Sequence, residues 1–249
     1  MILSGQQPNY VPWIGYFHKV GISDKHVLVD NVQYVKKHVT NRNKIKTPKG
    51  PALLTVPVLT KGAYYQKINE VKINNDEPWQ EKHWKSLNYF YLKAPHFEDH
   101  VDFFRGIFLD NKWTYLADLN LTILKYLFEK LEIQTPIYLA SEHGITGKKN
   151  ELIVNLTKGL DCDTYLSGAG ARKYIDEVYL SSNGVKHIFQ EFHCPTYPQM
   201  WGKFVPNLSV IDLLFNVGPK AKDILSICGQ PSDEPFTNSE EAEEDDLDE

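Results

Sequence analysis

Residues 1–21 read MILSGQQPNYVPWIGYFHKVG, and this stretch decides the fold. The apolar start predicts a strand over 1–4, and Trp13 to Val20 carries the apolar spacing of a helix. Between them lie two glutamines, an asparagine, two prolines and the Tyr10 ring, with Trp13 at the far edge. An ordinary strand-to-helix turn needs one turn residue and an N-cap, so this loop carries more chemistry than a turn requires. In an open α/β sheet, ligands settle beyond the carboxyl ends of the strands, where such a loop sits. Gln7 and Asn9 offer uncharged amide donors and acceptors, and Tyr10 and Trp13 offer ring faces. That mixture suits a sugar, a nucleobase or a small amide. The competing reading is structural: Pro8, Pro12 and Trp13 build a rigid corner whose amides cap backbone groups.

Working outward, HVLVD (26–30) predicts a buried strand ending in Asp30, with VQYV as its continuation. PALLTVPVL (51–59) and KINEVKI (67–73) also read as strands. Three helical patterns follow within about 75–135, the last ending before Thr135-Pro136. The C-terminal third alternates again. Strands are expected at 136–141, 163–168 and 186–192, and helices at 148–160 and 208–218. Strand–helix alternation on both sides of a helical stretch predicts a Rossmann-like three-layer α/β fold, its sheet parallel or mixed. The expected organisation is one α/β domain over 1–230 with a helical insertion at about 75–135. A two-domain α+β arrangement is the alternative.

Composition narrows the function classes. The chain has 249 residues, 42% hydrophobic and 24% charged, as expected of a soluble globular protein. Its apolar runs are far shorter than the ~20 residues of a membrane span. No basic stretch followed by an apolar run marks a secretory signal, and three scattered cysteines without a CxxC pair fit a reducing cytoplasm. The net charge of −5 is unevenly spread, because residues 231–249 hold ten acids and no Lys or Arg. Residues 1–230 therefore carry about +5. The acidic run predicts a disordered tail.

A second site candidate follows from charge. Asn31 to Asn69 contains no Asp or Glu, while six basic residues fall between Lys36 and Lys49. Asn41, Arg42, Asn43 and Lys44 form its centre, where a planar guanidinium and a point charge suit a phosphate or carboxylate. A solvated basic face is the alternative. The footprint is small and no recognition helix or RNA-binding motif is present, which argues against nucleic acid. A third candidate is DTYLSGAGARKYID (163–176), where Gly168 and Gly170 would let backbone N–H groups approach a ligand. An ordinary tight turn is the competing reading there. No phosphate loop, nucleophile elbow or zinc-protease motif occurs, so no cofactor or metal is expected. For proton transfer the candidates are His18, Asp30 and His143, in that order, because His18 rides on the opening motif and imidazole titrates near neutrality.

QQPNYVPWIGYFHK, SDKHVLVDNVQYVKKHVTNRNKIK, LLTVPV, DTYLSGAGARKYID and FVPNLSVIDLLFNVG together resemble the WbqC-like family, in order from about residue 2 to 218. The family's naming member is associated with gene clusters for bacterial O-antigen and other surface polysaccharides. The resemblance implies a role in decorating an amino sugar, such as adding glycine or another acyl group. Carried over, it places the site at Gln7, Pro8, Asn9, Tyr10, Pro12 and Trp13, at Asp30 and Gln33, and at Asn41, Arg42 and Asn43. One position departs: members commonly carry a histidine directly before Gln-Pro, where this chain has Gln6. The loop is also loosely similar to that of nucleotidylyltransferases, but lacks both of their histidines.

Three function classes follow. The first is a cytoplasmic transferase acting on a nucleotide-linked amino sugar with a small acyl or aminoacyl donor. The second is a non-catalytic nucleotide-sugar binding or assembly protein, and the third a nucleotidylyltransferase-like enzyme. The many tyrosines are compatible with a homodimer interface.

Overall fold

The first strand, β1 (Ile2–Gln6), is buried on both faces, as its Leu3 and Ser4 show. It feeds the loop 7–13 and then helix α1 (Ile14–Gly21). The chain returns as β2 (Lys25–Leu28), parallel to β1 with Ser4 opposite His26 and Gln6 opposite Leu28. Two further crossovers add β5 (Ile137–Leu139) beside β2, and β6 (Thr164–Ser167) on the other side of β1. The strand β7 (Lys186–Gln190) then pairs parallel with β6. The hairpin β3 (Arg42–Thr47) and β4 (Gly50–Thr55) stands apart as its own antiparallel sheet. These relations come from a computed structural model that describes residues 1–229 and 231–232.

Counting only the parallel strands in chain order, the large sheet reads 3-2-1-4-5. That is the order of the doubly wound nucleotide-binding folds, in which the chain reverses direction across the sheet between strands 1 and 4. Here the reversal lies between β1 and β6. Their carboxyl ends, Gln6 and Ser167, lie at the edge where folds of this order take their ligands.

Alternation along the strands separates two cores. Leu3, Val27, Val29 and Tyr165 face one layer, formed by α5 (Lys149–Gly159) and α6 (Glu177–Ser182). On the other face, Leu28 joins Ile14, Phe17 and Val20 of α1 and the helices α7 (Val210–Val217) and α8 (Ala221–Ser226). That second core continues into the helical segment: α2 (Trp79–Tyr91), α3 (Val101–Arg105), a π-helical turn at Gly106–Asp110, and α4 (Leu116–Lys130).

Two expected strands differ. VQYV makes only an isolated bridge, Gln33 with Lys67, and KINEVKI folds as a 3₁₀ turn at Ile68–Glu70. Glu70 Oε2 accepts from the Lys67 backbone N–H at 2.9 Å, which curls that segment before it can extend. The acidic tail expected over 231–249 lies outside the described residues, save Pro231–Ser232. Those two residues form β8, antiparallel to β7.

Candidate functional site

The opening loop proves to be a held object. Asn120 of α4, fully buried, donates through Nδ2 to the Pro8 carbonyl at 2.7 Å and to the Thr40 carbonyl at 2.8 Å. Asn43 Nδ2 donates to the Val11 carbonyl at 2.9 Å, and Ser209 Oγ donates to the same oxygen at 2.6 Å. The Val210 N–H donates to the Pro12 carbonyl at 2.8 Å, and the Tyr10 N–H to Val39 at 3.1 Å. Val11 sits at φ 37°, a left-handed conformation that costs a β-branched residue about 1–3 kcal/mol. The donors on its carbonyl keep it there. Buried carbonyls need donors, and here nearly every one supplied comes from a distant element.

The expected site residues divide accordingly. Tyr10 is fully buried, with its hydroxyl 2.8 Å from His83 Nδ1, and burial holds that phenol well above its ordinary range. Asn41 donates to the Val56 carbonyl at 2.8 Å, so Asn41 and Asn43 both serve backbone. Asn9 is buried, and its Oδ1 has no partner among the described residues. Trp13 lies over Gly15, where an added Cβ would meet the indole within 2.4–2.7 Å, and stands edge-on to Phe192 at 4.9 Å. The close approach that Gly15 permits is therefore that of Trp13 itself.

His18 is buried and engaged on both sides. Nδ1 accepts from Gln190 Nε2 at 2.8 Å, while Nε2 donates to the Gly229 carbonyl at 2.9 Å. Burial lowers its pKa below the ordinary histidine value, and neither nitrogen is left for a substrate proton. Asp30, at the carboxyl end of β2, accepts from the Ser141 N–H at 3.0 Å, Ser141 Oγ at 2.6 Å and Asn69 Nδ2 at 3.2 Å. Its carboxylate thus ties the β2 and β5 ends together. His143 is exposed with its ring 5.4 Å from Tyr138, and exposed Gln33 donates to the Tyr64 carbonyl at 3.1 Å.

The basic segment also divides. Arg42 is buried and donates to the Lys37 carbonyl, while Lys46 is buried with its ammonium 2.9 Å from Gln199 Oε1. Lys44 is half-buried, and its carbonyl accepts from the Ser209 N–H. Lys36 and Lys37 are exposed. Thr40 joins this turn to the loop, its Oγ1 donating to Gln7 Oε1 at 3.0 Å. The basic turn and the opening loop are neighbours.

At the reversal point three groups converge. Gln6 and Gln7 are half-buried at the end of β1. Lys19 of α1 is buried, and its ammonium donates to the Gly5 carbonyl at 3.1 Å and to Gln6 Oε1. Both acceptors are neutral, and burial pushes the Lys19 pKa down to about 8. A cation pairs with the amide oxygen only, so the Gln6 NH₂ is left to donate outward. On the β6 side of the reversal, Gly168 has φ −73°, and an added Cβ would meet nothing nearer than Gln190 Oε1 at 3.8 Å. Neither conformation nor packing requires glycine there. Gly170 lies in the 3₁₀ turn that follows, Ala169–Lys173.

A family model described as the WbqC-like protein family matches residues 7–224. The chain belongs to that family. The match begins within the clamped loop and ends in α8, so it covers nearly all of the described fold. The uncharacterized protein Rv1507c of Mycobacterium tuberculosis is 36% identical over 225 residues, which are 90% of this chain and 97% of that protein. No solved structure matches.

Sequence reasoning missed Lys19, Asn120 and Gln190. Lys19 ended the opening motif in plain view, but its burial depends on how α1 packs beneath β1. Asn120 lies more than a hundred residues from the loop it holds, and Gln190 more than a hundred from Gly15 and His18 of α1. Among the described residues, no helix is long and apolar enough to cross a membrane.

Proposed function

We propose that this protein is a cytoplasmic transferase acting on a nucleotide-linked amino sugar, adding a glycyl or other acyl group to the sugar amine for O-antigen or other surface-polysaccharide assembly. The carrying observation is the reversal of strand order between β1 and β6, which sets a rigidly clamped amide-rich loop beside the Gly168 turn. Family membership supports the setting. The clamps on 8–12 supply preorganisation, so little ordering remains to be done when ligand arrives. In this reading Gln6 and Gln7 hydrogen-bond the sugar, Lys36 and Lys37 lie along the pyrophosphate, and the Gly168 turn lies against the acyl group. Residues 1–230 act as one domain, with the helical stretch buttressing the loop through Asn120.

The test is isothermal calorimetry with UDP-, dTDP- and GDP-linked amino sugars, against nucleoside triphosphates with magnesium. Lys36 and Lys37 are exposed, so the double variant Lys36→Glu/Lys37→Glu leaves stability within about 0.5 kcal/mol. It weakens nucleotide-sugar binding at least tenfold, and the loss shrinks at high salt. Unchanged affinity would remove the phosphate role from this turn. Binding of triphosphates with magnesium in place of the sugar nucleotides would favour nucleotidyl transfer.

A further inference from the structure

On the face of the sheet opposite α1, three side chains form a line that the opening loop does not touch. Ser167 is the last residue of β6, directly opposite Phe189 of the adjacent strand β7, and His187 lies two residues before Phe189, on the same face. Ser167 Oγ stands 3.0 Å from His187 Nε2. Glu177, the first residue of α6, places Oε1 3.9 Å from His187 Nδ1. The imidazole is buried, with only 3% of its side chain exposed. Its Nδ1 has no hydrogen-bond partner among the described residues, and the carboxylate is the group that faces it.

This order of contacts fixes the tautomer. When Nε2 accepts the serine proton, Nδ1 must carry the other hydrogen and direct it at Glu177. A gap of 3.9 Å is longer than a hydrogen bond, but it shortens readily once the ring gains charge, because Glu177 is exposed and free to swing. Phe189 packs edge-on to the imidazole at 4.5 Å, and Arg172 lies over that phenyl ring at 4.0 Å. Burial, with Arg172, keeps the resting ring neutral, and Glu177 opposes them. A neutral imidazole bonded to a hydroxyl is the resting form of an activated nucleophile. Gly168, where a side chain would fit but none is present, follows Ser167 directly in the chain. The chain order Ser–Glu–His is that of the α/β-hydrolases, an analogy of arrangement alone.

We propose that Ser167 is an acyl-carrying nucleophile, with His187 as its proton acceptor and Glu177 as the residue that positions His187. The proposal rests on the acyl-transfer reading above and names its chemical course. The co-substrate is an activated acyl donor, a thioester or an ester. Ser167 Oγ attacks the acyl carbon and passes its proton to His187 Nε2. The bond from the acyl carbon to the donor sulfur or oxygen breaks, and the leaving group takes the proton from His187. The sugar amine then attacks the acyl-serine ester and yields a proton to His187. The ester C–O bond breaks, an amide remains on the sugar, and Ser167 recovers the proton.

The test treats the full chain with a fluorophosphonate, which reports an activated serine without any sugar or donor. Peptide mass mapping is expected to place the adduct on Ser167. Ser167→Ala should abolish it, and His187→Gln should slow labelling at least a hundredfold. Glu177→Gln should slow it about tenfold and move the lower midpoint of the rate–pH profile down, because a carboxylate that favours the imidazolium has gone. The other charged group facing the ring, Arg172, is unchanged in that variant. Thermal denaturation of each variant separates a chemical loss from unfolding, and Ser167→Cys, labelled by iodoacetamide, retains the bond to His187. The proposal is overturned if Ser167 stays unlabelled in folded protein, or if folded His187→Gln labels at the wild-type rate. Absence of nucleotide-sugar binding in protein that labels at Ser167 would overturn the substrate reading and uphold the nucleophile.

Discussion

Asn120→Ala is expected to lower stability by about 2–4 kcal/mol and to weaken nucleotide-sugar binding at least tenfold in protein that is still folded. The side chain is fully buried, and its one NH₂ group joins the Pro8 and Thr40 carbonyls. Truncation leaves both oxygens without that donor at a fully buried position, and each such loss costs about 1–3 kcal/mol. For a chain of this length, that lowers the melting temperature by roughly 10 °C. The binding effect follows from Thr40, which orients Gln7, and from Pro8, which fixes the course of the loop. Calorimetry and thermal denaturation on the same sample measure both. A stability loss with wild-type affinity would mean that the clamp supports the fold and has no part in binding.

Lys19 gives the second large effect, in the dependence of stability on pH. Its folded pKa lies near 8, below the unfolded value of about 10.4. Below pH ~8 both states hold the proton, and the buried ammonium penalises the fold equally at every pH. Between about 8 and 10.4 the unfolded chain binds the extra proton, so stability rises with pH across that window. Wild type should therefore gain on the order of 2 kcal/mol relative to Lys19→Met between about pH 7 and pH 9.5. Subtracting the variant cancels the other titrating groups. The measurement is urea denaturation of both proteins at each pH, and a flat difference would place the Lys19 pKa near its ordinary value. Gln6 also depends on this charge, because the ammonium holds the amide oxygen inward.

Much of the fold was legible from the sequence. The strand–loop–helix of residues 1–21 and the later strand–helix alternation depend on local pattern, and the parallel sheet follows from them. What local pattern could not supply was which strands lie side by side. The pairing of β1 with β6 joins residues about 160 apart, and it is this pairing that sets the reversal of strand order. The same limit applied to the site. QQPNYVPW stands out through its residue types, yet Asn41 and Asn43 turn inward to hold backbone, Tyr10 to meet His83, and His18 to meet Gln190 and Gly229. An amide on a clamp and an amide on a ligand look identical in sequence. His18 rides on the motif, but its partners, Gln190 and Gly229, lie too far along the chain for local pattern to reveal them. Ser167, Glu177 and His187 are ten residues apart in turn, and only the pairing of β6 with β7 brings serine to imidazole.

The central claim is the place of the ligand, at the carboxyl edge between the ends of β1 and β6. Hydrogen exchange followed by mass spectrometry, with and without a saturating nucleotide-linked amino sugar, tests it most directly. The expected result is added protection in peptides covering 5–13, 36–41 and 167–171, with little change in α2. Protection confined instead to the groove lined by Trp84 and Tyr89 of α2 and by Leu92 just past its end, with 5–13 and 167–171 unaffected, would contradict it.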